Sequence, residues 1–366
     1  MASSKKVLIT GILGQDGANM AEYLLSLREP MEVYGMMRRS ANPNFSNAAN
    51  FKKDSRFKFV YGDLTDEVSI NGLIDDIQPD YLINFGANSF VGCSWDMPMQ
   101  VFDTNTLGVL RCLEAIKRYQ PECRFYSAGS SEEFGDVDYS PQDISHPIKP
   151  RSPYGASKAS ARHLVKVYRE SYDMYAVHSI LFNHEGTKRG EEFVTRKITK
   201  GVARLKSEIV ARAESGHQSS ITPLELGNLS AKRDWSDSED FVKGVWIMLN
   251  QKTPKDYVLS SGETHEVREF VWLAFKYAGI HGRFQGKELN ETFGYEDKGK
   301  WLVLVRVNPE FYRPAEVDLL QGDSSPIRKE LNWKPQIPFD KLVKKMVEWD
   351  IELLQNEKLT RPRRKT

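Results

Sequence analysis

Four side chains near the middle of the chain have the types and spacing for oxidising a hydroxylated substrate. In Pro153-Tyr154-Gly155-Ala156-Ser157-Lys158 a tyrosine and a lysine stand four residues apart, so on a helix they share one face. There an ammonium lowers the phenol pKa and anchors a nicotinamide ribose, while the phenol takes a proton from a sugar hydroxyl as hydride leaves for the cofactor. A bare YxxxK is common by chance. This one follows Ser127-Ala128-Gly129-Ser130-Ser131-Glu132-Glu133-Phe134-Gly135, a serine-rich strand end with two acids. Ser130 fits the hydroxyl that positions the reacting oxygen. Glu132 is the candidate base: oxidation at carbon 4 of a sugar acidifies the hydrogen on carbon 5, a carboxylate removes it, and the carbon 6 hydroxyl departs. Glu133 is the second base to test, and the bland alternative makes both of them solvated loop acids.

The hydride acceptor has its own signature. Gly11-Ile12-Leu13-Gly14-Gln15-Asp16-Gly17 joins a strand to a helix, and its glycines allow a tight turn and close approach of backbone N–H groups to a pyrophosphate. After the second strand, where an acid would hold the ribose hydroxyls of NAD, the chain has Arg38 and Arg39, whose guanidinium groups suit the 2′-phosphate of NADP. Gly62-Asp63-Leu64 and Asn84-Phe85-Gly86-Ala87-Asn88-Ser89 end two further strands on the cofactor side. The expected cofactor contacts here are therefore Gly11, Gly14, Gln15, Asp16, Gly17, Arg38, Asp63, Leu64, Gly86, Ala87 and Ser89, joined by Tyr154 and Lys158.

Elements that could hold these groups alternate along the first half of the chain. Strands are expected at 6–11, 32–37, 57–61, 81–85, 124–127 and 175–182, with helices at 18–27, 67–77, 101–119 and 154–172, the last entered through Ser152-Pro153. The pattern predicts an α/β fold: a Rossmann-type, doubly wound parallel sheet with a smaller, mixed α/β substrate-binding lobe. Helices at 195–206, 239–249, 267–277 and 339–354 and a strand at 224–226 belong to the less regular second half. The expected division is a dinucleotide-binding domain over 1–186 with 233–261 returning to it, a substrate lobe over 187–232 and 262–355, and a basic tail over 356–366. Two stretches without convincing period, 40–54 and 207–220, read as loops.

Composition narrows the function classes. Lys+Arg 51 against Asp+Glu 50 leaves a formal charge of +1, so nothing calls for nucleic acid or an acidic membrane as partner. The three cysteines, Cys93, Cys112 and Cys123, show no CxxC spacing, which argues against a disulfide framework or a structural zinc site. No stretch approaches the roughly 18 apolar residues of a membrane span. The expectation is a cytoplasmic protein with no metal.

Taken with later segments, these residues resemble the GDP-mannose 4,6-dehydratase family of extended short-chain dehydrogenases/reductases across nearly the whole chain. The likeness is specific at 150–155 (PRSPYG), 180–185 (ILFNHE), 193–198 (FVTRKI), 226–235 (LGNLSAKRDW) and 312–323 (YRPAEVDLLQGD). It implies catalytic positions at Ser130, Glu132, Tyr154 and Lys158, and cofactor contacts at His184 and Arg189 as well. It also implies that Ser89, Glu132, Asn183, Lys197, Arg233, Arg313 and Glu316 contact a GDP-linked hexose, and that the protein is a homodimer or homotetramer. The chain departs from the family pattern in four places. Ser130 stands for a threonine and Glu133-Phe134 for Leu-Tyr; Gly186-Thr187-Lys188 replaces Ser-Pro-Arg; the loop after Arg39 is Asn-rich; and 207–220 looks like an insertion. Two other functions stay open: a 4-keto-sugar reductase, which needs no base at Glu132, and a catalytically silent dinucleotide sensor.

Overall fold

The computed structural model describes residues 4–215, 220–311 and 319–360. Its chain divides into two compact units, one of Met1–His184, Asp234–Glu263 and Leu320–Gln336, the other of Glu185–Arg233, Thr264–Leu319 and Ile337–Thr366.

The first unit is built on β1 (Lys5–Thr10), α1 (Gln15–Ser26), β2 (Met31–Met37), β3 (Phe57–Tyr61), α2 (Glu67–Ile77) and β4 (Tyr81–Asn84), followed by α3 (Pro98–Phe102), α4 (Gly108–Tyr119), β5 (Arg124–Ala128), α5 (Pro153–Tyr172) and β6 (Ala176–Leu181). With the short strand Val258–Leu259 these form a seven-stranded sheet in the order Val258–Leu259, β6, β5, β4, β1, β2, β3. All of its pairings are parallel. Every residue of β4 and β6 is buried, which is why both read as near-continuous apolar runs rather than as alternation. The strand order runs outward from β1 in one direction and from β4 in the other, so a crevice opens between their carboxyl ends, the usual place for a ligand in such sheets.

Four departures from the sequence expectations have physical causes. First, α1 starts at Gln15, directly on the glycine turn. Second, the single helix expected over 101–119 is broken by a wide π turn, Asp103–Leu107, which buries Asn105 and Thr106. Asn105 Nδ2 donates to Ser157 Oγ at 3.0 Å and Thr106 Oγ1 to the Ser157 carbonyl at 2.8 Å, so the turn spends its irregularity on gripping α5. Third, the loop expected over 40–54 is present but contains a 3-10 turn, Ser46–Ala48, and is anchored: Ala48 and Phe51 are buried, and Phe51 and Phe45 pack edge-on against Phe57 and Phe59 of β3 at 4.8 and 5.2 Å. Fourth, residues 320–336, expected in the substrate lobe, lie in the first unit. Ile327 and Trp333 enter its core, and Trp333 Nε1 donates to the Asp240 carbonyl at 2.9 Å.

In the second unit, Arg283–Gln285, Thr292–Asp297 and Lys300–Val307 pair antiparallel in sequence, and Leu224–Leu226 joins the last of them in parallel. Helices Val194–Ser215, Val267–Tyr277 and Phe339–Thr360 pack together. Inside, Arg196 meets Asp350 at 2.8 Å and Thr199 Oγ1 donates to the same carboxylate at 2.6 Å. The helix over 194–215 runs nine residues past its expected end, through what reads as a loop. Its extension, Ser207-Glu208-Ile209-Val210-Ala211-Arg212-Ala213-Glu214-Ser215, buries little but contains good helix formers. Ion pairs from Arg204 to Glu208 (2.7 Å) and from Arg212 to Asp297 (3.0 Å) support it. Among the described residues, no helix is long and apolar enough to cross a membrane.

Candidate active site

Strand β5 ends at Ala128, and the chain turns immediately into a 3-10 turn, Ser131–Glu133. Ser130 caps that turn: its Oγ accepts from the Glu132 N–H at 3.2 Å, while Glu133 Oε1 accepts from the Ser130 N–H at 2.8 Å. This reciprocal capping fixes the backbone that carries Ser130 and Glu132. The two adjacent acids then part company. Glu132 is half-buried, whereas Glu133 is fully buried with its carboxylate 3.0 Å from His178 Nε2 on β6. Glu133 is thus a core residue rather than a second exposed acid.

Helix α5 supplies the other half. Ser152 caps it through the Gly155 N–H at 3.0 Å, and Pro153 sits in its first turn, where a missing N–H costs nothing. Gly155 brings the helix against the turn: a Cβ there would lie 2.5 Å from the Glu132 carbonyl oxygen. Tyr154 and Lys158 are both buried, on one face as their spacing requires, with Lys158 Nζ 5.9 Å from the Tyr154 ring centre. Lys158 Nζ donates to the Ala128 carbonyl at 2.7 Å, tying the helix to the end of β5. Burial pushes the ammonium down to about 8, against the pull of Glu133 and Asp16. Between the two residues, Ser157 is held by Asn105, which also exchanges hydrogen bonds with both backbone groups of Asn88, at 2.9 and 3.1 Å. Asn105 therefore links α5 to the loop after β4. Sequence reasoning missed it; the available signal was the polar run Asp103-Thr104-Asn105-Thr106, which interrupts the apolar period of the helix expected over 101–119.

The glycine turn is equally defined. Gly11 has φ +67°, open to glycine at little cost, and a Cβ on it would meet the Gly86 N at 2.8 Å; one on Gly17 would meet the Gly11 carbonyl oxygen at 2.4 Å. Gly14 precedes α1 without a side-chain cap. Gln15 Nε2 donates to the His184 carbonyl at 2.9 Å, and its Oε1 is buried without a partner. Asp16 lies 2.9 Å from His184 Nε2, and His184 stacks on Phe241 at 4.8 Å. Thr10 Oγ1 accepts from the Gly86 N–H at 2.9 Å, with buried Leu64 beside Gly86. Asp63 Oδ1 holds its own turn through Thr65, at 2.9 Å from both its N and Oγ1. Ala87 is half-buried, and Ser89 and Arg38 are exposed. Neither Arg38 nor Arg39 has an ion pair to a described residue. Asn183 is half-buried at the end of β6.

Other expected contacts lie in the second unit. Lys197 is half-buried with Nζ 3.7 Å over the Phe311 ring, and burial lowers its pKa against the attraction of Glu225. Arg189 is committed to Glu185 at 3.0 Å and stacks over Phe193 at 3.5 Å. Arg233 is buried, its Nη1 donating to the Lys232 carbonyl at 2.7 Å. In the first unit, the neighbouring Asp234 is satisfied by the N–H groups of Ser261, Gly262 and Gly322 and by the Ser261 hydroxyl, so its carboxylate has a structural task of its own. Arg313 and Glu316 lie outside the described residues, as does most of the basic tail.

Solved structures show the same fold at low identity. A dTDP-glucose 4,6-dehydratase from Bacillus anthracis, in complex with NAD, matches with a TM-score of 0.75 at 19% identity, over 97% of this chain and 98% of its own. Curated relatives are much nearer in sequence. GDP-mannose 4,6 dehydratase of Drosophila melanogaster is 42% identical over 359 residues, covering 96% of this chain and 87% of the relative. The protein of that name from Homo sapiens is 41% identical over 356 residues, covering 95% and 92%. The family model described as GDP-mannose 4,6 dehydratase matches residues 8–346. On these matches the chain belongs to the GDP-mannose 4,6-dehydratase family.

Proposed function

We propose that the protein dehydrates GDP-mannose to GDP-4-keto-6-deoxymannose with a bound NADP, and that Ser130, Glu132, Tyr154 and Lys158 do the chemistry. The observation that supports this most is the meeting of the Ser130–Glu132 turn with the first turn of α5, since dehydration needs a base where a reductase needs none. The glycine turn fits a dinucleotide: Gly11 and Gly17 let backbone pack on backbone in the tight turn, and the start of α1 has N–H groups without a side-chain cap, as a pyrophosphate site needs. Gly11, Gly14, Gln15, Gly17, Asp63, Leu64, Gly86 and Ala87 would hold it, with the exposed Arg38 on the 2′-phosphate. NADP supplies a site that accepts hydride from carbon 4 and returns it to carbon 6.

The residues divide the remaining work. Tyr154 takes the proton of the carbon 4 hydroxyl, with the Lys158 ammonium favouring its phenolate, while Ser130 orients the same oxygen. Glu132 removes the carbon 5 proton, and the two protons so taken are both returned, one to the carbon 6 hydroxyl as it leaves as water and one to carbon 5 when hydride reaches carbon 6. Lys197 and Arg233, together with Asn183, Ser89, Arg313 and Glu316, contact the nucleotide sugar in this reading, the cations meeting the diphosphate. Incubation with GDP-mannose is the test. A dehydratase yields an alkali-sensitive 4-keto product with no net consumption of added NADPH. Stoichiometric NADPH oxidation by a keto sugar would establish the reductase instead, and inertness toward both would leave a sensor.

A further inference from the structure

Under the catalytic turn lie a carboxylate and an imidazole that the chemistry above leaves unused. Glu133 and His178 are fully buried. Glu133 Oε1 accepts from the Ser130 N–H at 2.8 Å and lies 3.0 Å from His178 Nε2, whose other ring nitrogen is 3.2 Å from Ser127 Oγ. The second oxygen, Oε2, is buried with no hydrogen-bond partner among the described residues. Stability alone favours an apolar side chain in such a place, because a buried carboxylate oxygen forfeits its hydration and gains nothing back. The pair fits only because residue 129 has no side chain. A Cβ on Gly129 would lie 2.2 Å from His178 Nε2 and 2.5 Å from Glu133 Oε1. Gly129 and His178 thus seat Glu133, and it is Glu133 that holds the backbone of Ser130.

We propose that Glu133, seated by Gly129 and His178, is a positioning residue for the dehydration: by holding the Ser130 N–H it fixes the turn that presents the Ser130 hydroxyl and Glu132. The proposal rests on the assignment of those residues to the chemistry. A purely structural acid would leave the electrostatics of the site alone; this one does not. Lys158 is faced by Tyr154 on its own helix, by Glu133 from the turn and by Asp16 from α1, and Glu133 is foremost among the charges that oppose the effect of burial on it.

The test is steady-state dehydration of GDP-mannose by holoenzyme with wild-type, Glu133→Leu and Glu133→Gln chains across neutral and alkaline pH. Glu133→Leu removes the acceptor and the charge, and kcat is expected to fall about a hundredfold with KM within about twofold, the cost of misplacing reacting groups by about an ångström. Glu133→Gln keeps an oxygen for the Ser130 N–H, so kcat near neutrality should fall only about threefold. Its charge is gone, however. The ammonium form of Lys158 is present below its pKa and lost above it, so removing a nearby negative charge lowers that pKa and moves the alkaline limb of the profile about half a unit to lower pH. Wild-type kcat in Glu133→Leu, equal damage in both variants at every pH, or an unmoved alkaline limb in Glu133→Gln each overturns the proposal. A wild-type protein that does not dehydrate GDP-mannose removes the functional reading itself, and this proposal with it.

Discussion

Two strand ends in the first unit carry cationic side chains, and they are built in opposite ways. At the end of β2, Arg38 and Arg39 stand exposed and without an ion pair to a described residue. Beside the end of β5, Lys158 of α5 is buried and bonded to the Ala128 carbonyl, and the residues next to both groups are held as well, Ser157 by Asn105 and Ser130 by Glu133. A group that only recognises charge can order itself when its ligand arrives. Groups that move protons must be in place beforehand, because misalignment is paid directly in rate.

Variants can break that contrast, and the closed end should give the largest effects. Glu132→Gln keeps size but removes the basic lone pair, so product formation should fall by about two to four orders of magnitude while transient reduction of bound NADP by the sugar remains visible. Tyr154→Phe should suppress both halves. In deuterated water the wild type should carry deuterium at carbon 5, since the abstracted proton exchanges, and substrate-derived hydrogen at carbon 6. Near wild-type turnover by Glu132→Gln would falsify the assignment of the base.

At the open end the expected effect is smaller and confined to binding. Arg38→Ala should weaken NADP about ten- to a hundredfold, the worth of one or two charged hydrogen bonds, and leave NAD almost unchanged. Titration of both cofactors checks it, and equal losses would show that Arg38 serves the turn rather than the phosphate. The smallest effect concerns the loop that joins β2 to β3. Asn47 Nδ2 donates to the Leu13 carbonyl at 3.0 Å, fastening 40–54 to the glycine turn. Asn47→Ala should cost about 1 kcal/mol of stability, read by denaturant titration, and change kcat little. A large fall in kcat would extend the preorganised region into this loop.

Much of this was legible in the sequence, for reasons that individual residues make clear. β3 and α2 fall at 57–61 and 67–77 as expected, because composition, period and the Asp66 cap agree. Tyr154 and Lys158 share a face because helical geometry demands it. What escaped is whatever depends on a partner distant in sequence. Glu132 and Glu133 are chemically identical neighbours, and only His178, 45 residues from Glu133 along the chain, separates a half-buried acid from a core one. A lone histidine within the wholly buried run of β6 was the available hint, since a buried imidazole needs a polar partner. The elements within 320–336 are too short for any period to show, so nothing local announced their place in the first unit.

That last segment has a consequence for how the protein is made. The first unit's core is shared among three stretches of chain, and Trp333 and Ile327 of the last stretch pack with residues such as Leu259 and Val245 of the second. A nascent chain stalled at residue 300 would carry the glycine turn and α5 in full, yet it would lack the side chains that cover part of that core. Synthesis order and folding order therefore diverge: the glycine turn and α5 emerge early, and the cooperative unit that stabilises them closes only once the chain has been made through residue 336. Expression of the first half alone should give aggregation-prone material, and its solubility should recover on adding back residues through 336.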